Sequence, residues 1–222
     1  MNLLIFDLDG TLIDSKLDLA NSVNAMLTRW GIPRLPNEVV FSYVGNGAPT
    51  LIRRALGADP AESEVESALK YFLAHYGEHL LENTRLYPGV KESLDRFRDA
   101  GQSMAVLTNK PLRFLRPLVD GLGLGGYFFQ AYGGDSFPEK KPHPMGVEKL
   151  LKESGAARDE SLMIGDSAVD ILTARNAGIK AAGVTYGFQP ESLERHPPDI
   201  LVGSMPELAA LLLDNAAREP KP

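Results

Sequence analysis

The feature that most constrains this chain is a rhythm. Short apolar or β-branched runs at Leu3–Phe6, Met104–Thr108, Phe128–Tyr132, Leu162–Ile164, Ala181–Thr185 and Ile200–Val202 read as strands. Amphipathic stretches of helical period, such as Val90–Ala100, Val147–Ser154 and Ala168–Ala177, lie between most of them. Alternation of this kind implies parallel strands joined by helical crossovers, so the expected fold class is α/β, a Rossmann-like parallel sheet with helices on both faces. In such a sheet the functional crevice lies beyond the carboxyl ends of the strands. Asp7, Thr108 and Asp166 each fall at such an end.

The rhythm breaks once. From Ser15 to Leu86 only helical patterns are visible, at Leu17–Trp30, Val39–Leu56 and Glu62–Leu81, before the turn signal Tyr87-Pro88-Gly89. We read residues 15–86 as a small helical cap domain inserted into an α/β core made of residues 1–14 and 87–222, able to close over the crevice and exclude water. The tail Arg218–Pro222 reads as frayed. A net charge of −6 offers no basic footprint, which sets nucleic acid aside as a partner. The absence of cysteine excludes disulfides and thiolate metal sites, and fits a reducing cytoplasm. The apolar stretch before Asp7 is too short for a signal peptide, and Leu208–Leu213 is too short to span a bilayer, so a soluble cytoplasmic protein is expected, with no membrane partner.

The chemistry begins with the two acids of Asp7-Leu8-Asp9. In an extended segment their side chains leave the same side of the backbone. Followed by Gly10 and Thr11, the pair suits a hard cation or nucleophile-plus-acid chemistry, and equally a helix cap beside an Asx turn. Gly165-Asp166-Ser167 follows another strand, with Asp170 four residues after Asp166, and Thr108-Asn109-Lys110 ends a third. Lys141 sits in the proline-stiffened loop Lys140-Lys141-Pro142-His143-Pro144. Each piece alone is ordinary. Together they place acids, a hydroxyl, an amide and a lysine at one sheet edge.

The ordered set DLDGT, TNK, KP and GDSAVD, with the position of the insert, resembles the haloacid dehalogenase superfamily of phosphohydrolases. Within it, LTNKP, GGD, KKPHP and GVTYGF, with VGNG in the cap, are similar to phosphoglycolate phosphatases. The resemblance implies that Asp7 is the nucleophile and Asp9 the acid and then the base. Lys141, Thr108 and the Asn109 backbone would hold the phosphoryl oxygens. Mg²⁺ would be bound by Asp7, the Asp9 carbonyl and Asp166, with Asp170 and Thr11 in support. The implied partner is a small phosphorylated metabolite, foremost 2-phosphoglycolate, handled by a monomer or homodimer. A β-phosphoglucomutase-like mutase, a pyrophosphatase and a catalytically silent binding protein are the alternatives.

Other signals read less sharply. Gly45, Asn46 and Gly47 form either a plain turn or a backbone cradle for a small anion. Arg53 is either exposed or the partner of a substrate carboxylate. His75 and His79 have metal-ligand spacing but no evident third ligand, so an exposed face is preferred. Gly121–Gly126 reads as a loop ending a helix, and Trp30 as packing. Met145-Gly146 departs from the phosphoglycolate phosphatase pattern at a helix start.

Overall fold

The computed structural model describes residues 1–214, so the Arg218–Pro222 tail lies outside the described residues. Strand β1 (Leu3–Phe6) leads to a short antiparallel ribbon of β2 (Ile13–Asp14) and β3 (Arg85–Leu86). The remaining strands are β4 (Ser103–Leu107), β5 (Gln130–Tyr132), β6 (Ser161–Gly165), β7 (Lys180–Val184) and β8 (Ile200–Val202). With β1 they form one sheet in the order β5-β4-β1-β6-β7-β8, every neighbouring pair parallel. The chain reverses its direction of winding at β1, between β4 and β6, and a crevice opens there at the strand ends.

Four helices, α1 (Lys16–Arg29), α2 (Asn37–Tyr43), α3 (Ala48–Leu56) and α4 (Glu62–Glu78), lie between the strands of the ribbon. The core carries α5 (Val90–Asp99), α6 (Leu112–Gly121), α7 (Met145–Ser154), α8 (Ala168–Ala177), α9 (Glu191–Arg195) and α10 (Met205–Asp214). Successive residues of β1 serve opposite faces, as the strand period requires. Leu4 and Phe6 join Val90, Leu94 and Leu208 in one apolar cluster, while Leu3 and Ile5 join Val147, Leu150 and Ile171 in another. Every β1 side chain is fully buried, each burial stabilising by about 1.5–3 kcal/mol. No helix among the described residues is long and apolar enough to cross a membrane.

Two details depart from expectation. The helical pattern Val39–Leu56 is two helices, α2 and α3, because Gly45 (φ 113°) and Gly47 (φ 88°) adopt backbone conformations that a helix does not contain. The segment 15–86 also holds a strand, β3, which pairs with β2. Beside that ribbon, buried Asp18 of α1 accepts hydrogen bonds from the Asn83 and Thr84 backbone N–H groups and the Thr84 hydroxyl. Burial pushes this carboxyl up, but the donated hydrogen bonds prevail and hold it below its ordinary range. Helix α8 matches its sequence reading end to end. Ser167 caps it with Asp170 in a capping box, and Gly178 (φ 66°) ends it.

Candidate active site

β1 delivers Asp7 directly beside β6, where its N–H donates to the Ile164 carbonyl at 2.8 Å. Lys141 is buried beneath it and donates to Asp170 Oδ1 at 2.6 Å while lying 3.0 Å from Asp7 Oδ1. Asp170 is fixed from its other side, accepting from the Ser167 N–H and hydroxyl. One cap residue therefore serves two purposes, starting α8 and aiming the lysine. Burial draws the Lys141 ammonium down, yet Asp170 and then Asp7 outweigh it and carry its pKa above the ordinary value.

Burial raises Asp7 to about 6, with Lys141 opposing and Asp170 adding to the rise. Asp166 is pushed well above its usual range by burial and by the neighbouring charges of Asp170 and Asp7. Its Oδ2 accepts from the Phe188 N–H at 2.6 Å. Gly10 and Gly187 press against it so closely that a Cβ on Gly10 would lie 2.3 Å from Asp166 Oδ2, and one on Gly187 2.2 Å from Asp166 Cβ.

Acidic oxygens of Asp7, Asp166 and Asp170 lie within 4.8 Å of one another. Asp170 is already committed to Lys141 and Ser167, which leaves Asp7 and Asp166 as the side chains to face a cation. The Asp9 carbonyl accepts no hydrogen bond among the described residues and completes a hard oxygen set. Two largely enclosed carboxylates with raised pKa values and one free carbonyl fit a divalent cation, whose charge would favour their ionised forms.

The Asp9 carboxylate stands apart from that set. It accepts from the Ser15 hydroxyl and from Lys110 Nζ, which is 3.0 Å from both of its oxygens. Lys110, buried, also lies over the ring of Tyr76 from α4, 4.5 Å from its centroid. Thr108 is buried at the end of β4, its Oγ1 accepting from the Lys110 N–H. The Asn109 N–H donates to none of the described residues, while its side-chain amide donates to the Gly45 and Lys141 carbonyls. Thr11 is fully buried with its hydroxyl unpartnered, and its carbonyl accepts from Tyr186.

The structure corrects the cap assignments. Gly45 and Gly47 line the cleft between cap and core, but Asn46 does not; its carbonyl accepts from Lys140 at 2.6 Å. Gln189 likewise donates to the Val44 carbonyl at 2.5 Å. Arg53 is not in the cleft at all. It is exposed and paired with Glu62, because its position on α3 faces the start of α4. His75 and His79 are half-buried rather than exposed: His75 meets Ser22 and His79 meets Glu82. Trp30 packs edge-on against Tyr71, and of Gly121–Gly126 the first residue ends α6 and residues 122–126 follow it as a loop. Met145-Gly146 opens α7 two residues before the sequence reading, with Gly146 packed where a Cβ would lie 2.5 Å from Leu107.

Lys110, Ser15, Tyr76 and Gln189 had escaped the sequence reading. Lys110 lies inside the TNK triplet, but nothing local showed that it would meet Asp9, 101 residues earlier.

A parallel sheet with paired acids after its central strand, a buried lysine and an inserted helical cap defines a hydrolase architecture. The chain belongs to the haloacid dehalogenase-like hydrolases, whose family model matches residues 4–184. Its relatives include a phosphoglycolate phosphatase of Pseudomonas fluorescens (strain Pf0-1), 42% identical over 97% of this chain and 81% of that protein. A phosphoglycolate phosphatase of Haemophilus influenzae (strain 86-028NP) is also 42% identical, over 82% of this chain and 85% of its own length. Among solved structures, a predicted phosphoglycolate phosphatase of Haemophilus somnus 129pt superimposes with a TM-score of 0.89 at 34% identity, covering 97% of this chain and 98% of that one.

Proposed function

We propose that this enzyme is a cytoplasmic phosphomonoester hydrolase that releases phosphate from 2-phosphoglycolate through an aspartyl-phosphate on Asp7. The observation that carries the reading is Lys141, buried and bonded to both Asp7 and Asp170 at the mouth of the sheet. A carboxylate attacking a phosphate dianion must overcome like-charge repulsion, and a fixed buried cation beside the attacking oxygen lowers that barrier. Asp7 attacks phosphorus in line with the departing oxygen. Asp9, held by Ser15 and Lys110, gives the leaving alkoxide a proton and later takes one from the water that hydrolyses the acyl phosphate. The Thr108 hydroxyl and the Asn109 N–H receive the phosphoryl oxygens. Bound Mg²⁺ would add charge neutralisation, held by Asp7, Asp166 and the Asp9 carbonyl.

The cleft supports a small substrate. Its cavity measures about 60 Å³, and it is walled by the apolar side chains of Leu51 and Phe72 from the cap and Phe114 from the core, among others. Sugar hydroxyls against such a wall would lose hydrogen bonds at roughly 1–3 kcal/mol each. A bisphosphate would also need a second cluster of cations, whereas Lys110 is the only cationic side chain lining the cavity among the described residues. These features favour a hydrolase of a compact ester over a sugar phosphomutase.

The test is phosphate release from 2-phosphoglycolate, β-glucose 1-phosphate and pyrophosphate, with Mg²⁺ and with chelator, beside Asp7→Asn. Metal-dependent turnover strongly favouring 2-phosphoglycolate and lost in the variant is expected. Preference for another ester would overturn the substrate, and full activity of Asp7→Asn would overturn the nucleophile.

A further inference from the structure

With Arg53 turned away from the cleft, the non-reacting charge of the substrate has no obvious partner, and the structure supplies one elsewhere. We propose that Lys110 and the Tyr76 hydroxyl form the recognition site for a carboxylate on the leaving group, one carbon from the ester oxygen. The inference rests on the phosphoglycolate reading above and names the residues that make the substrate choice.

Three observations converge. Lys110 reaches the cavity from the end of β4 and is the only cation on its wall among the described residues. Its Nζ lies 3.0 Å from both oxygens of Asp9, the group assigned to protonate the departing oxygen. A carboxylate attached one carbon from that oxygen therefore lies beside the same ammonium when the ester is seated for in-line attack. A longer linker would carry it past, toward the apolar wall.

The second donor is Tyr76. Its side chain is almost wholly buried, reaches the cavity from the cap, and has a hydroxyl whose O–H donates to no group among the described residues, while the Lys110 ammonium stands beside it as a donor to its oxygen. Buried hydroxyls are rarely left so, because an unmade hydrogen bond costs about 1–3 kcal/mol. Burial pushes the phenol up to about 12, so it remains an O–H donor throughout the working pH range. An ammonium has three N–H groups, of which Asp9 engages two and the third turns to Tyr76, so an entering carboxylate oxygen accepts from the Tyr76 O–H and shares that third N–H.

Charge makes the pair necessary. Asp7, Asp9, Asp166 and Asp170 already crowd the site, and a further carboxylate entering beside Asp9 without a cation would meet like charge at close range in a poorly solvated cleft. Because Tyr76 belongs to α4, recognition also requires the cap to be closed. Selection of the acid and exclusion of water then become one event.

The experiment compares kcat/KM for 2-phosphoglycolate with that for 2-hydroxyethyl phosphate, which has the same length and no carboxylate. The full-length protein is assayed with Mg²⁺ as wild type, Tyr76→Phe, Lys110→Met and Lys110→Arg. The wild-type ratio should be large. Tyr76→Phe should lower it about 3- to 10-fold, since it removes the O–H donor and leaves the ring beneath Lys110 in place. Lys110→Met should lower it by 30-fold or more, and Lys110→Arg should keep it within about threefold. A large wild-type ratio left within twofold in both Tyr76→Phe and Lys110→Met would overturn this assignment while leaving the substrate reading intact. A wild-type ratio near one would end both. Should Lys110→Met fail to fold, Tyr76→Phe and Lys110→Arg still decide, because loss of the ratio in Lys110→Arg despite its retained charge, with none in Tyr76→Phe, also overturns it.

Discussion

Removing Lys141 should damage the fold as well as turnover, and the size of that effect can be worked from the geometry. The resemblance alone casts this lysine as a group for the phosphoryl oxygens, whose loss would damage turnover far more than folding. In the structure its side chain is 3% exposed and that of Asp170 1%, 2.6 Å apart, with Asp7 at 3.0 Å. At an effective dielectric constant of 20 these separations correspond to attractions of about 6 and about 5.5 kcal/mol, before desolvation costs of several kcal/mol per ion are set against them. What survives that offset is small, but deleting one partner leaves the desolvation of the others unrecovered. Lys141→Met should therefore cost about 3–5 kcal/mol, a large share of a total stability of about 5–15 kcal/mol. Asp170→Asn alone should also destabilise, whereas the double variant should be less destabilised than the sum of the singles by 2 kcal/mol or more. Urea unfolding in chelator at constant m-value measures all four proteins. The cost of Lys141→Met should be greater at pH 8 than at pH 5. Without the lysine the folded carboxylates hold their protons more tightly than the unfolded ones, so stability falls as pH rises. Additive single effects, or a cost that does not grow with pH, would refute the view that this triad is one coupled unit.

Two further outcomes follow from the same geometry. Asp7 binds its proton more tightly folded, at about 6 against 3.8, so its contribution is fully present below pH 3.8 and is lost as pH rises through about 6, a change of about 3 kcal/mol. Asp7→Asn should accordingly flatten the decline in stability of the chelated protein between pH 4 and 6, as followed by urea titration, and an unchanged slope would sink the assignment. Gln189→Ala removes the donor to the Val44 carbonyl, one of three core side chains that hold the cap loop. It should raise KM several-fold with a smaller effect on kcat and speed hydrogen exchange of residues 44–47. Unchanged exchange there would show that the contact does not hold the cap.

What was legible in the sequence, and what was not, separates along a physical line. Asp7, Thr108 and Asp166 stand at strand ends, and in a parallel sheet strand ends meet. Their convergence followed from the strand-helix rhythm before any coordinates. Asp170 was legible for a local reason, since the Ser167–Asp170 spacing starts α8 and fixes where its carboxylate points. The misreadings concern the cap and the core side chains that meet it, where function depends on which way a helix turns. Gly45 and Gly47 allowed a turn within the apolar pattern from Val39 to Leu56, but that pattern could not fix how the helices on either side of it are rotated. The rotation of α3 therefore remained free, and of the two readings open for Arg53 the exposed one holds, with Glu62 as its partner. A deeper reason lies in what the cap contributes. Its loop offers backbone carbonyls at Val44, Gly45 and Asn46 rather than side chains, each taken by a side chain of the core: Gln189, Asn109 and Lys140. A carbonyl is the same in every residue, so no residue type marks that role. The glycines mark only the shape. The donors in the core could have been recognised only by knowing that the cap closes onto them. For the same reason Lys110 read as an ordinary turn lysine. Its role is created by Asp9 on one side and Tyr76 on the other, one from each domain, and exists only where the two domains meet.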